Sequence, residues 1–120
     1  MKLDHIQLAI PPDSEDLCRA FYCDLLGWAE KPKPAVLAGR GGLWLTSGDA
    51  EIHLGVEQDF RPAKKAHPAF LVSELSDLAD KLQASGFDPN WDASIPELRR
   101  FFLFDAVGNR LEFMQAASAL

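Results

Sequence analysis

The sequence predicts an α+β fold made of two similar halves. Three observations support this prediction. Several short segments alternate apolar and polar residues as strands do, two segments have the spacing of amphipathic helices, and the order of these elements repeats. Equivalent positions, such as the helix-ending glycines Gly27 and Gly86, are separated by about 60 residues. A repeat of this length that occurs twice favours a two-module fold; the alternative is one α+β sandwich whose halves are alike by chance.

The first half has the pattern of one strand, one helix and three further strands. Residues 3–10 alternate in polarity, and two prolines end this strand. Asp13 or Ser14 can cap a helix that stops at Gly27, where a left-handed backbone favours glycine. The apolar stripe of this helix is expected to contain Leu17, Ala20, Phe21 and Leu25. Turn residues separate the remaining strands, which are expected at 35–38, 43–46 and 51–56.

The second half repeats that order. Residues 67–72 read as a strand, and the next segment has apolar residues at helical spacing, namely Leu75, Leu78, Ala79 and Leu82. Residues 87–98 are expected to form a loop or one weak strand, and two strands are expected at 100–104 and 110–114. We therefore predict one domain, 1–120, with module 1 at about 1–57, a linker at 58–66 and module 2 at about 67–116.

The composition excludes several classes of partner. The formal net charge of −6 and the scattered basic residues argue against nucleic acid, because binding to phosphates needs clustered lysine and arginine. No apolar run is long enough for a signal peptide or a membrane span. The two cysteines, Cys18 and Cys23, form no metal or redox motif and are expected to be free thiols. We predict a cytoplasmic protein without a membrane partner.

Three histidines and one glutamate form the most informative set of residues. His5, His53 and His67 each fall on a predicted strand, on its less apolar face, and Glu112 occupies the counterpart of His53 in the second half. A single histidine on a strand is more often hydrogen-bonded or exposed than metal-bound. Four such residues at corresponding positions of a duplication favour a metal site, and imidazole with carboxylate suits Zn, Fe, Ni, Co or Mn.

The sequence resembles the vicinal oxygen chelate superfamily, which contains glyoxalases, bleomycin resistance proteins and extradiol dioxygenases. The resemblance covers nearly the whole chain and rests on three phrases: L-D-H-I-Q-L around His5, F-Y-C-D-L-L-G-W at 21–28 and D-A-V-G-N-R-L-E-F at 105–113. The last phrase is the most specific and is similar to the family's D-P-x-G-N-x-x-E, with Ala106 in place of the usual proline. The resemblance implies two βαβββ modules that form a cleft around one divalent metal ion.

The resemblance also implies a ligand set. His5, His67 and Glu112 match the family's commonest His-His-Glu set, and His53 matches the fourth position, which is glutamate in type I glyoxalases. We predict all four as candidate ligands of one Zn, Ni, Fe, Mn or Co ion. Arg100 is the candidate anion-binding residue, with an exposed surface arginine as the alternative. Candidate walls of the substrate pocket are Gln7, Trp44 and Phe102, with plain core packing as the alternative for the two aromatic residues.

The resemblance and this ligand set together imply a glyoxalase-like, metal-dependent enzyme of lyase or isomerase type. It would act on a small molecule chelated through two oxygens, with Glu112 as a candidate base. The alternatives are a metal-free binding or drug-resistance protein of the same fold and an extradiol-type dioxygenase. A cupin-like barrel is disfavoured because no two histidines lie within a few residues. A homodimer is expected, because small members of the superfamily commonly dimerise.

Overall fold

The computed structural model describes residues 1–116 of the chain, which divides into two compact units, Met1–Pro62 and Ala63–Leu120. No helix of the described residues is long and apolar enough to cross a membrane. Each unit contains one four-stranded mixed sheet and few helices, so the predicted α+β class with two βαβββ modules is confirmed.

The first unit has a sheet of strand order β1-β4-β3-β2, in which β1 is parallel to β4 and the other pairs are antiparallel. Its strands are β1 (Ile6–Ile10), β2 (Ala29–Lys31), β3 (Leu43–Ser47) and β4 (Ala50–Val56). Helix α1 (Glu15–Cys18) continues directly as a π-helix, Arg19–Leu25, and a 3₁₀ helix spans Ala35–Arg40. The parallel pairing of the first and last strands requires the helical crossover between them.

The predicted apolar stripe of the first helix is partly wrong. Leu17 is 54% exposed, whereas Cys18 and Tyr22 are fully buried beside Phe21. The helix widens into the π form from Arg19, so side chains no longer repeat at the α-helical spacing. The predicted glycine stop is correct: Gly27 has φ 81. Cys18 and Cys23 are not joined in a disulfide.

The strand predicted at 35–38 is wrong. These residues start the 3₁₀ helix, in which the amide of Leu37 donates to the carbonyl of Pro34 at 2.9 Å. Four apolar residues are too short to distinguish strand from helix by periodicity, and Val36 is 85% exposed rather than part of a sheet. The edge strand is β2 instead, which the sequence analysis did not predict.

The second unit repeats the same architecture. Its strands are β5 (Ala69–Leu71), β6 (Asn90–Trp91), β7 (Leu98–Phe104) and β8 (Arg110–Ala116), in the order β5-β8-β7-β6. Helix α2 (Leu75–Ala84) lies where it was predicted and buries Leu75, Ala79 and Leu82. The apolar face of this unit's sheet contributes Phe101, Leu103, Leu111 and Phe113 to the core.

The strand registers match between the two units. The His53 row crosses the first sheet through Gln7, His53, Trp44 and Lys31. The Glu112 row crosses the second sheet through Ala69, Glu112, Phe102 and Asn90. His5 and His67 each lie two residues before the first member of their row. Both residues therefore precede a strand, although they were predicted to lie on a strand. The predicted equivalence of His53 and Glu112 follows from these registers.

Candidate metal centre

Glu112 lies at the centre of the second sheet and is held by two partners. It is buried, with 5% of its surface exposed. One carboxylate oxygen, Oε1, lies 2.9 Å from Nε2 of His67, and the other, Oε2, accepts a hydrogen bond from Arg100 at 3.2 Å. The residue therefore has a fixed orientation, as a ligand or a base requires.

The hydrogen bonds of His67 identify which ring nitrogen can bind a metal. Its Nδ1 lies 2.9 Å from the backbone carbonyl oxygen of Lys65, which can only accept a hydrogen bond, so Nδ1 carries the proton. Nε2 faces Glu112 Oε1 at 2.9 Å, a contact that itself needs one hydrogen in the metal-free protein, and a metal ion would take the place of that hydrogen. Metal-binding histidines typically donate the other ring N–H to a carbonyl or carboxylate in this way.

The separation of these two donor atoms suits a shared metal ion. Two ligands about 2.1 Å from one ion lie about 3.0 Å apart at the right angle of octahedral coordination and about 3.4 Å apart in tetrahedral coordination. The observed distance between His67 Nε2 and Glu112 Oε1 is 2.9 Å. An imidazole nitrogen and a carboxylate oxygen also belong to the donor types that the predicted metals prefer. This pair therefore fits a divalent metal ion in distance, tautomer and chemistry.

Arg100 is occupied by side chains of its own unit. Besides Glu112, its guanidinium contacts the carboxylate of Asp92 at 2.9 Å and Ser94 Oγ at 3.4 Å. Hydrogen bonds from Ser94, and then the charge of Arg100, lower the pKa of Asp92. The buried Nε of Arg100 has no hydrogen-bond partner among residues 1–116. The side chain is 18% exposed, so it is not the freely exposed surface arginine considered as the alternative.

Phe102 stands next to Glu112 in its row and contacts three cationic or titratable groups. The guanidinium carbons of Arg100 and Arg110 lie 5.1 and 4.2 Å from its ring centre, and the ring of His67 meets it edge-on at 5.2 Å. Phe102 also lines a cleft of about 790 Å³ together with Arg110. Arg110 was not among the predicted site residues, although it lies inside the most specific phrase, two residues before Glu112.

In the first unit, three aromatic rings form a stack, the His53 stack. His53 lies between His5, at 3.8 Å between ring centres, and Trp44, at 4.0 Å. The planes of His53 and Trp44 differ by only 6°. His53 is 5% exposed, so its ring faces are covered by its neighbours. The planes of His5 and His53 differ by 20°, so their in-plane lone pairs run nearly side by side, which does not favour these two residues as ligands of one ion.

The nitrogen contacts of these two histidines differ. Nε2 of His53 lies 2.7 Å from Glu51, and this bond together with Lys31 lowers the pKa of Glu51. In His5 it is Nδ1 that contacts a carboxylate, Asp4 at 2.8 Å, and this bond lowers the pKa of Asp4. No side chain of residues 1–116 bonds Nε2 of His5. His5 therefore resembles His67 in its bonding, whereas His53 does not.

Gln7 and Trp44 line a second cleft, of about 220 Å³, in the first unit. The amide of Gln7 covers Gly55, where a Cβ atom would lie 2.7 Å from Gln7 Nε2. Lys33 and Arg40 contribute positive charge to this cleft. The three residues predicted as pocket walls thus line clefts, and neither Trp44 nor Phe102 belongs to the fully buried core.

The structure brings the four candidate ligands together as two pairs, one in each unit. His5 and His53 are neighbours in the first, and His67 and Glu112 in the second. Within the described residues, neither unit by itself gathers three His, Cys, Asp or Glu side chains in a geometry that could hold a metal ion. Asp4 contacts Nδ1 of His5, and the backbone carbonyl of Lys65 contacts Nδ1 of His67, so these two residues orient the rings. Neither residue was predicted from the sequence.

Comparison with solved structures identifies the class of this protein. A glyoxalase family protein from Bacillus anthracis is 44% identical, with a TM-score of 0.93 over 97% of this chain and 95% of that chain. The two βαβββ modules and the likeness to this glyoxalase family protein place the chain in the vicinal oxygen chelate superfamily. The chain belongs to the glyoxalase family. A scan against protein-family models and a search of curated proteins found no match.

Two more distant structures share the fold. A variant of the fosfomycin resistance protein FosX from Listeria monocytogenes, complexed with Mn(II) and 1S,2S-dihydroxypropylphosphonic acid, is 17% identical with a TM-score of 0.75; the match covers 99% of this chain and 91% of that chain. TnmS3, an antibiotic binding protein from Streptomyces sp. CB03234, is 18% identical with a TM-score of 0.73, covering 97% and 98%. At these identities the likeness shows the fold alone.

Proposed function

We propose that the chain is a metal-dependent enzyme of lyase or isomerase type, acting on a small substrate that binds through two neighbouring oxygens. The observation that carries this proposal is the geometry of His67 and Glu112. Nδ1 of His67 is committed to a backbone carbonyl, and Nε2 and the glutamate oxygen lie 2.9 Å apart. Membership of the glyoxalase family supports the same reaction type.

The proposed ligands are His5, His67 and Glu112. His5 supplies the third donor through Nε2, because its Nδ1 is held by Asp4 as His67 Nδ1 is held by Lys65. His53 was also a predicted ligand, but its Nε2 is engaged by Glu51 and its ring is stacked on both faces. We therefore assign His53 a supporting role, in which it orients the ring of His5.

A divalent ion at these ligands would act as a Lewis acid, stabilising negative charge that develops on the substrate oxygens. The residues of the chain contribute position and proton transfer. Arg100 holds Oε2 of Glu112, which leaves Oε1 directed toward His67. As base, Glu112 would exchange its role as ligand for proton transfer, taking a proton at Oε1 from a substrate carbon and returning it to the neighbouring carbon. Phe102 is the cross-strand neighbour of Glu112 and contacts the ring of His67.

Metal binding is the first test. Wild-type protein and the variants His67→Ala and Glu112→Ala are stripped of metal and titrated with Zn, Ni, Fe, Mn or Co, and bound metal per chain is measured. We expect one ion per chain in the wild type and an affinity about 100-fold lower or worse in both variants. Glu97→Gln, which removes an exposed carboxylate outside the proposed ligand set, is the control and should keep the wild-type affinity. Failure of the wild type to bind any of the five ions refutes the enzyme proposal.

A second candidate is a metal-free protein that binds a small molecule in the same fold. The ion pair between Arg100 and Glu112 favours it, because both oxygens of the buried carboxylate already have partners. The metal titration separates the two candidates. If no ion binds and a ligand still does, the metal-free function stands.

We also propose a homodimer. The four candidate ligands are divided between two units, and a mixing experiment determines whether one site uses residues of two chains. His5→Ala and Glu112→Ala proteins are unfolded together and refolded. If a site is shared between chains, the mixture should recover about a quarter to a half of wild-type metal binding, whereas either variant alone recovers none. A single, monomeric species in sedimentation would refute the dimer.

A further inference from the structure

The second unit contains a cleft whose charge is opposite to that of the protein as a whole. The basic cleft, of about 790 Å³, is lined by Lys64, Lys65 and Arg110 and by a single carboxylate, Asp88. The chain carries a formal net charge of −6. None of the three cations forms an ion pair with any residue from 1 to 116. Three unpaired cations around one concave surface in an acidic protein favour an anionic ligand.

Arg110 is held in a fixed position at the wall of this cleft. Its guanidinium carbon lies 4.2 Å from the ring centre of Phe102, and Nη1 donates to the backbone carbonyl of Lys65 at 3.1 Å. The side chain is half-buried, and the other guanidinium nitrogens bond no residue of the described chain. A guanidinium fixed at one nitrogen can present its remaining N–H groups to a carboxylate, phosphate or phosphonate.

The same cleft has an aromatic wall. Phe102 and Phe104 both line it, and Phe104 is 61% exposed although it is a large apolar residue at the end of β7. An exposed aromatic ring beside unpaired cations fits a ligand that has both an anionic group and a flat apolar part.

The basic cleft adjoins the proposed metal ligand His67. Arg110 Nη1 lies 3.5 Å from His67 Nδ1, and the ring of Phe102 contacts the same histidine. We propose that the basic cleft is the substrate's anion-binding subsite, which selects small organic anions with an aromatic or other planar apolar group. Its assignment as part of the active site rests on the proposed function, whereas anion binding itself does not.

The test uses metal-free protein and phenylphosphonate as the probe, with benzyl alcohol as its neutral analogue. Binding is measured at low salt from shifts of backbone amide resonances around Phe87, Asn90 and Phe104. We expect phenylphosphonate to shift these resonances and benzyl alcohol to leave them unchanged. The affinity for phenylphosphonate should be about tenfold lower in Lys64→Met and in Arg110→Lys. Lys81→Met, an exposed lysine of α2 outside the cleft, is the matched control for loss of one positive charge.

The outcomes are distinct from those of the metal titration. Equal binding of benzyl alcohol, equal loss in Lys81→Met, or unchanged binding in both cleft variants would overturn the subsite. If phenylphosphonate binds through the cleft but no metal binds, the subsite stands and the enzyme proposal fails. Arg110→Lys retains a positive charge, so a loss there also tests the planar guanidinium; Lys64 is exposed, so its variant should fold normally.

Discussion

The two units have the same strand order and the same register but use equivalent positions differently. At the centre of the first sheet, His53 is covered by rings on both faces and is bonded to one carboxylate. At the equivalent point of the second sheet, Glu112 is bonded to a histidine and an arginine. The backbone of a module thus specifies where a side chain lies, and the neighbours in its row determine what that side chain can do.

A second pair of equivalent positions is also used differently in the two units. These positions lie two residues before Trp44 in the first unit and two residues before Phe102 in the second. In the first unit this position is Gly42, whose amide donates to Glu15 Oε2 at 2.8 Å. In the second unit it is Arg100, which reaches Glu112. The first unit therefore uses this position to join a helix to the sheet, and the second uses it to neutralise a buried carboxylate.

The substitution Gly42→Ala should have the largest effect, because only the first unit requires glycine here. Gly42 has φ +83, and an added Cβ would lie 2.1 Å from the carbonyl oxygen of Leu54. We expect the free energy of unfolding to fall by about 3 kcal/mol or more, measured by urea denaturation. Gly48→Ala is the control, since Gly48 has φ +56 with nothing near its Cβ; a loss of about 1 kcal/mol is expected. Equal losses would contradict the close approach at Gly42.

The variant Glu112→Gln should have the next largest effect on stability. It keeps the shape of the side chain but leaves Arg100 and His67 without their buried anionic partner. We expect the metal-free protein to lose about 2 kcal/mol of unfolding free energy in thermal and urea denaturation. Glu51→Gln, which removes the carboxylate that bonds His53, should cost less, because its partner Lys31 is 46% exposed. A larger loss of unfolding free energy in Glu51→Gln than in Glu112→Gln would show that the first row, and not the second, depends more on its carboxylate.

The bond between Glu15 and Gly42 should give the smallest effect, visible only in acid. The hydrogen bond from the Gly42 amide lowers the pKa of Glu15 below the ordinary value of 4.5. A lowered pKa in the folded state means that the stabilisation is complete above pH 4.5 and is lost as the pH falls through the lowered pKa. Wild type should exceed Glu15→Gln in stability by less than about 1 kcal/mol at pH 6, because the group is partly exposed.

That difference should shrink as the pH falls below 4.5, as measured by urea denaturation across the pH range. Glu97→Gln, which removes an exposed carboxylate of the second unit, is the control. A difference between wild type and Glu15→Gln that persists unchanged into acid would show that the carboxylate charge is not the cause.

Much of the fold could be predicted from the sequence because local signals and tertiary packing agreed. Helix α2 was predicted because its apolar residues repeat at helical spacing, and the hairpin between β3 and β4 because Gly48 marks its turn. The segment at 35–38 was predicted incorrectly because Pro34 starts a 3₁₀ helix there. The π-helix could not be predicted, since no sequence pattern distinguishes it from an α-helix of the same length.

The candidate site was predictable in its residues but not in its bonding. The internal repeat predicted that His67 is the equivalent of His5 and Glu112 the equivalent of His53, and the strand registers agree. The sequence could not reveal that Arg100 is occupied by Glu112 and Asp92, because that depends on strand pairing and on the loop that follows β6. The same holds for the ring stacking of His53, which requires the register of three strands.

The matched rows bear on how a protein of this kind can change. If the two units descend from one duplicated segment, each row position exists twice, and one copy can acquire a new side chain while the other retains the old one. The glutamate and the histidine at the row centres would then be divergent versions of one ancestral position. Exchanging residues between equivalent positions is consequently a direct route to new chemistry that leaves the hydrogen-bonded backbone of both sheets unchanged.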